Sequence, residues 1–367
     1  MPAVPPINLL EYEEAAREQL SEMAYDYYAS GAHDELTLRA NRAAFNRYQL
    51  QYRVLRDVST RDVTCSLLGS ASAAPIFVAP MAFHRLAHDD GELATARAAG
   101  RRGLIFTLST MATRSIEEVT EVATGPIWFQ LYVYRDRGLT RELVERAAQA
   151  GCRALVLTVD AQVFGVRERD VRNRFRLPEG MEVKNLLGTK NSTLPKTAGS
   201  GLGAYVESLF DPALSWRDVE WLASLSDLPV VIKGIVHPDD AVLAARHGAQ
   251  AVVVSNHGGR QLDTAPATLD VLSEIADAAG DQVEIFMDGG VRRGTDVVKA
   301  LALGAKAVSV GRPVLWGLAA GGEDGAGHVL DLLRAELDKA LALCGATDLK
   351  GLKRDLLRVT ERPASTY

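Results

Sequence analysis

Eight short apolar runs punctuate the chain: Ile76–Ala79, Ile105–Leu108, Ile127–Leu131, Ala154–Val159, Val230–Lys233, Ala251–Ser255, Glu284–Met287 and Ala307–Val310. Several show little alternation, the pattern of strands buried on both faces in a parallel sheet. Amphipathic, helix-length segments lie between them, at Gly91–Arg101, Ser115–Val122, Thr140–Ala150, Trp216–Leu225, Pro238–His247, Ala267–Ala279 and Gly294–Leu303. In the third, Thr140 is the expected cap and Leu143, Val144 and Ala147 form the apolar stripe. A glycine precedes the next strand at Gly103, Gly151, Gly248 and Gly304, where a left-handed residue after a helix is needed. Eight strand–helix units over about 280 residues predict an α/β fold, a (β/α)8 TIM barrel, in preference to a doubly wound open sheet.

Two regions fall outside the repeat. Residues 1 to 70 read as a helical extension, with Asn8 and Ser21 as caps, packed on a barrel of residues 71–345. Residues 170–215 form a long insert after strand four whose middle, Leu187 to Gly201, is polar and glycine-rich. Long loops at this end of a barrel are typically functional lids or disordered segments, and a lid is expected. The 367 residues are thus expected to form a single domain.

Composition narrows the function. A net charge of −6 argues against nucleic-acid binding. Three cysteines, Cys65, Cys152 and Cys344, offer no disulfide framework and fit a reducing cytoplasm. No run of about 18 apolar residues is present to span a membrane. Met1–Pro6 does not read as a signal peptide, nor Ala364–Tyr367 as a peroxisomal address.

In a barrel of this kind the chemistry sits at the C-terminal strand ends. Those ends carry Gln130 and Tyr132, Thr158 and Asp160 with Arg167 beyond, Lys233, Ser255 to Gln261, Asp288 to Gly294, and Gly311-Arg312. Asp288-Gly289-Gly290-Val291-Arg292 and Gly311-Arg312 read as a phosphate cradle: glycines that admit a ligand to the backbone, a helix N-terminus and two guanidiniums. His257 with Asp160 reads as an oriented general base, and the glycines after His257 as room for a ligand. Arg167 and Arg260 suit a carboxylate, while Lys233 at a buried strand end requires an anionic partner. No metal is expected, since His-Glu-x-x-His and Cys-x-x-Cys are both absent. His84 and His88 read as polar groups of a loop, and Gly199 to Gly203 as flexible loop.

Ser255-Asn256-His257-Gly258-Gly259-Arg260-Gln261 resembles the active-site signature of the FMN-dependent L-2-hydroxy-acid oxidases, the group of glycolate and L-lactate oxidases. Tyr25 to Gly31, Ala79 to Ala82, Leu108-Ser109, Trp128 to Tyr132, Leu157 to Asp160, Ile232 to Gly234, Asp288 to Thr295 and Gly311 to Pro313 extend the resemblance, in order, over nearly the whole chain. The resemblance implies FMN against Pro80, Met81 and Ala82, with Ser109, Gln130, Thr158 and Ser255 on its ring and Lys233 at its N1/C2 edge. It places Asp288, Gly289, Gly290, Val291, Arg292, Gly311 and Arg312 on the ribityl chain and phosphate. It further implies that Tyr27, Arg167 and Arg260 bind the substrate carboxylate and Tyr132 its 2-hydroxyl. His257 would remove a proton, from the hydroxyl or from the α-carbon, with Asp160 as its partner.

The implied reaction takes a small L-2-hydroxy acid to the 2-oxo acid, with O2 as acceptor and H2O2 as product. A dehydrogenase using a quinone or another acceptor is the alternative, and a catalytically silent flavin-binding protein a more distant one. Met111 stands where glycolate oxidases carry tryptophan, and Met81 where they carry threonine. These softer, apolar walls favour L-lactate, with glycolate secondary. Ala161 to Phe164 also departs from the proline-containing run common in glycolate oxidases. The group is commonly tetrameric, and a homo-oligomer is expected.

Overall fold

The computed structural model describes residues 5–186 and 192–360. Eight parallel strands close into a barrel: Ile76–Val78, Phe106–Ser109, Ile127–Leu131, Leu155–Thr158, Val230–Ile235, Ala251–Val254, Glu284–Met287 and Ala307–Val310. The last pairs with the first, Val308 opposite Ile76. Residues facing the axis fill the interior, with Phe77, Trp128 and Phe286 in mutual ring contact at 5.2–5.7 Å. The other strand faces pack on the surrounding helices, so both faces are apolar.

Most predicted helices stand within a residue or two of expectation. Ser115 forms a full capping box with Glu118. The third helix differs: it runs Arg137–Gln149 and is capped by Asp136, which accepts from Gly138 and Leu139 N–H. Thr140 lies inside it, fully buried, its hydroxyl accepting from Tyr134 N–H. The eighth helical segment, Arg312–Cys344, is long and kinked at Gly321-Gly322.

The extension is only partly helical. Leu9–Gln19, capped by Asn8, Glu22–Ala29, capped by Ser21, and Leu36–Ala43 are helices. Residues 44–72 correct the expectation. Tyr48–Leu50 pairs antiparallel with Leu357–Val359. Cys65–Leu67 and Ser70–Ser72 form a hairpin whose turn residues, Leu68 and Gly69, have φ of 47° and 77°. Two positive φ values suit the right-handed twist of a tight hairpin. Leu67 from this hairpin joins the inner barrel core.

In the insert, Leu187–Asn191, part of the glycine-rich stretch, lie outside the described residues. Gly201–Leu209 is helical, not flexible loop: Ser200 caps it, and Leu202, Tyr205 and Val206 are buried. Among the described residues, no helix is long and apolar enough to cross a membrane.

Candidate functional site

A cavity of about 1150 Å³, mouth included, opens at the C-terminal ends of the strands. The extension contributes Tyr27 and Tyr28, the insert contributes Leu202, Val206 and Phe210, and strand ends and the loops after them, Phe164 included, contribute the rest.

His257 Nδ1 lies 2.9 Å from Asp160 Oδ1. If Nδ1 carries the proton and donates it to the carboxylate, Nε2 is an unprotonated acceptor. Burial holds the imidazole below its usual pKa, opposed by the Asp160 charge and reinforced by Lys233. Burial works against ionisation of Asp160, yet His257 and Lys233 together hold the carboxyl below its ordinary value. The pair is built locally. Gly234 has φ +115°, and a Cβ there would lie 2.8 Å from both Cβ and Cγ of Asp160. Only glycine leaves space for that carboxylate. Gln261 Nε2 donates to the carbonyls of Asp160 at 2.7 Å and Val163 at 2.9 Å, fixing the loop that carries the acid.

Cations crowd the wall. Lys233, Arg167, Arg260, Arg292 and Arg312 all line the cavity. Burial and the neighbouring Arg260 charge lower Arg167 to about 10. Its guanidinium lies 4.5 Å from the Phe164 ring centroid and 3.6 Å from Asp170. Arg260 Nη1 donates to the carbonyls of Tyr27 at 2.7 Å and Ser30 at 3.0 Å, and its guanidinium lies 5.1 Å from the Tyr27 ring centroid. Burial first, then the Asp160 charge, pushes the Tyr132 phenol well above its usual value, so it is a neutral donor.

Lys233 finds its anion within the protein: Asp288 Oδ2 at 3.4 Å, with Ser255 Oγ at 3.0 Å. Arg292 is different. Burial lowers its pKa, and its guanidinium makes one hydrogen bond among the described residues, to the carbonyl of Val291 at 2.9 Å. Beside it, the N–H groups of Gly289, Gly290 and Val291 reach no protein acceptor among the described residues. A half-buried guanidinium and three free amides in one cavity wall form an anion site. Arg312 donates to the carbonyls of Tyr28, Ser30 and Gly258 at 2.8–3.1 Å.

The glycines also make room for protein. A Cβ on Gly290 would lie 2.2 Å from the Asn41 carbonyl oxygen, and one on Gly259 2.5 Å from Leu38 N. These glycines admit the extension helix Leu36–Ala43 to the loops. Gly258 similarly leaves room for the Arg312 guanidinium, 2.8 Å from a Cβ there.

Of the residues singled out in the sequence, Tyr27, Pro80, Met81, Ala82, Ser109, Met111, Tyr132, Arg167, Lys233, His257, Arg260, Asp288–Arg292, Gly311 and Arg312 line the cavity. Gln130, Thr158, Asp160 and Ser255 stand behind that wall. Ser109 Oγ donates to Gln130 Oε1 and Gln130 Nε2 to Thr158 Oγ1, both at 3.0 Å. Ser255 Oγ donates to Asp288 Oδ1 at 2.7 Å. Among the lining residues that sequence reasoning passed over are Leu202, Val206 and Phe210, whose ring stacks on Tyr132 at 4.4 Å. Leu202, Tyr205 and Val206 follow helical spacing, a signal hidden by the glycines around them. His84, expected as a loop group, is fully buried with Nδ1 2.9 Å from Thr95 Oγ1. Among the described residues, no cluster of three His, Cys, Asp or Glu could hold a metal ion.

Comparison with known proteins agrees with this geometry. The family described as FMN-dependent dehydrogenase matches residues 16–359. An L-lactate oxidase of Nostoc sp. is 54% identical over 359 residues, covering 96% of this chain and 98% of that protein. Glycolate oxidase 1 of Zea mays is 50% identical, covering 95% and 94%. A crystal structure of mandelate oxidase with (S)-4-hydroxymandelic acid superposes with a TM-score of 0.92 at 42% identity, covering 97% of this chain and 99% of that one.

Proposed function

The chain belongs to the FMN-dependent dehydrogenase family, and we propose that it oxidises a small L-2-hydroxy acid, L-lactate before glycolate, to the 2-oxo acid while O2 becomes H2O2. The observation that carries this reading is the His257–Asp160 pair, with His257 lining the same cavity as Arg167, Arg260 and Tyr132.

The residues present fit FMN. The inner wall of the cavity offers the Arg292 guanidinium and the unpartnered amides of Gly289–Val291, a donor set suited to a phosphate. Pro80, Met81 and Ala82 would support the ring, with Ser109, Gln130, Thr158, Lys233 and Ser255 around its polar edge. Asp288–Arg292, Gly311 and Arg312 would hold the ribityl chain and phosphate. When bound, FMN supplies the two-electron acceptor for the substrate carbon and passes those electrons to O2.

The remaining chemistry belongs to the chain. Arg167 and Arg260, with Tyr27, bind the carboxylate. Tyr132, held neutral, donates to the 2-hydroxyl. His257 Nε2 receives the proton released from the C2–OH unit, and Asp160 stabilises the imidazolium that forms. Lys233 keeps a positive charge at the inner wall, where negative charge on the cofactor would be stabilised. Met111, Phe164, Leu202, Val206 and Phe210 exclude water and favour a methyl over a hydrogen, a preference of about 1–3 kcal/mol that leaves glycolate a substrate.

Bleaching of the yellow protein by L-lactate, glycolate and L-mandelate under anaerobic conditions, followed by mixing with O2, tests the reading. L-Lactate should bleach fastest and O2 should restore the colour with one H2O2 per turnover. Slow reoxidation by O2 with rapid reoxidation by a quinone would replace the oxidase reading with a dehydrogenase. His257→Ala should keep the flavin spectrum and lose turnover, and retained turnover would remove its assigned role.

A further inference from the structure

His257 holds a backbone conformation that a side chain with one working orientation rarely adopts. Its φ is +58°, in the left-handed region. A non-glycine residue persists there only where its surroundings over-determine it. Two contacts bracket it. On one side its own N–H donates to Ser255 Oγ at 3.1 Å. On the other, Gly259 N–H is shared between the Asn256 carbonyl and Asn256 Oδ1, each at 3.0 Å, so main chain and side chain together close the turn over His257.

Asn256 is itself fixed from outside the barrel. Its buried amide meets that of Asn41, on the extension helix Leu36–Ala43, in a reciprocal pair: each Nδ2 donates to the other's Oδ1 at 2.8 Å. The surrounding groups settle which atom is which. Asn41 Oδ1 also accepts from Thr268 N–H at 3.2 Å, and Asn256 Nδ2 also donates to the Pro266 carbonyl at 2.9 Å. Main-chain donors require oxygens and the carbonyl requires an amide nitrogen, so neither side chain can flip without losing a bond. Cutting one member leaves the other with a buried polar atom unmatched.

We propose that Asn41 and Asn256 are positioning residues that hold His257 in its left-handed conformation, so that the N-terminal extension directly sets the geometry of the base. Close packing supports this. The same helix lies against Gly259 through Leu38 and against Gly290 through Asn41, with space at neither for a Cβ. The inference rests on the proposed role of His257 as the base.

The test uses the FMN-loaded protein with L-lactate as substrate. Asn41→Ala should lower kcat about tenfold while KM stays within about twofold, because the carboxylate clamp is untouched. The flavin spectrum should persist, and the amides of residues 256–259 should exchange with solvent faster. Asn41→Asp fills the same volume and keeps the acceptor, but sets a second acceptor and a charge against Asn256 Oδ1 in place of the donor, so it should move both readouts in the same direction. It decides the question if the alanine variant does not fold. Thr37→Val is the control: it removes the Thr37 hydroxyl's bond to the Ala265 carbonyl, 3.0 Å, on the same helix, and leaves both Asn41–Asn256 bonds in place. Its kcat should not change. Unaltered kcat and exchange in the Asn41 variants, or an equal loss of kcat in Thr37→Val, would overturn the proposal. If the unmodified protein oxidises no L-2-hydroxy acid, the proposed function fails; exchange at 256–259 then decides positioning alone, faster supporting it and unchanged overturning it.

Discussion

Replacing Asp160 with asparagine isolates the electrostatic part of the His257 pair. The amide keeps the shape of the carboxylate and, with its oxygen toward Nδ1, still accepts from Nδ1–H. What is lost is one negative charge 2.9 Å from the imidazole in a buried setting. A charge-assisted hydrogen bond of this kind contributes about 1.5–3 kcal/mol, and the imidazolium that forms as the substrate loses its proton gains most of it. At about 1.4 kcal/mol per decade, Asp160→Asn should lower kcat by about 10- to 150-fold. The pH profile gives an independent reading of the same charge. Burial depresses the His257 pKa below 6.5 while Asp160 raises it, so removing Asp160 must depress it further. The acidic limb of kcat/KM should therefore shift to lower pH even as the plateau falls. H2O2 production between pH 4.5 and 8, at fixed ionic strength, measures both. An acidic limb that moves upward, or a plateau within about twofold of the unmodified protein, would refute the assignment of Asp160 as the charge that supports His257.

Arg292→Met should weaken FMN by about 1.5–3 kcal/mol and leave riboflavin binding nearly unchanged, read by titrating apoprotein with each; an unaltered preference for FMN would show that the phosphate lies elsewhere. Gly290→Ala puts a Cβ 2.2 Å from the Asn41 carbonyl at a φ of +81°, so thermal unfolding should show a loss of at least about 1–3 kcal/mol, with FMN retention falling too. Gly234→Ala should cost activity more than stability, because the Cβ collides with Asp160 itself; circular dichroism melts beside initial rates would separate the two. Stability should also fall with acid. His84 and His257 are both held below 6.5 by burial, so between their folded pKa values and 6.5 the unfolded chain binds more protons. Melting temperature should rise with pH up to about 6.5 and then level off as far as these two groups are concerned, and His84→Gln should flatten the rise.

The barrel was legible because its strands are buried on both faces: Leu155–Thr158 and Ala251–Val254 have almost nowhere polar to hide, so the runs stand out. The hairpin at Cys65–Ser72 was not legible, since three of its eight residues are serine and its turn is set by the backbone of Leu68-Gly69. The cap of Arg137–Gln149 was misplaced because two candidate caps, Asp136 and Thr140, lie one turn apart, and only the buried Tyr134 N–H explains why Thr140 faces inward.

The glycines teach the sharper lesson. Gly289-Gly290 and Gly258-Gly259 read as room for a ligand, and the cavity does lie beside them. Yet the space that three of those missing side chains leave is taken by protein: Asn41 against Gly290, Leu38 against Gly259, Arg312 against Gly258. A glycine in a sequence reports that something approaches the backbone closely, not what approaches it. Here much of that approach is made by a helix more than 200 residues away in sequence, which no local pattern around His257 can disclose. The loops that carry His257 and the anion site are therefore shaped by the extension before any ligand arrives. On that footing, substitutions at Leu38 and Asn41, the residues of Leu36–Ala43 packed on those glycines, should disturb the site more than equally buried substitutions on the outer helices of the barrel.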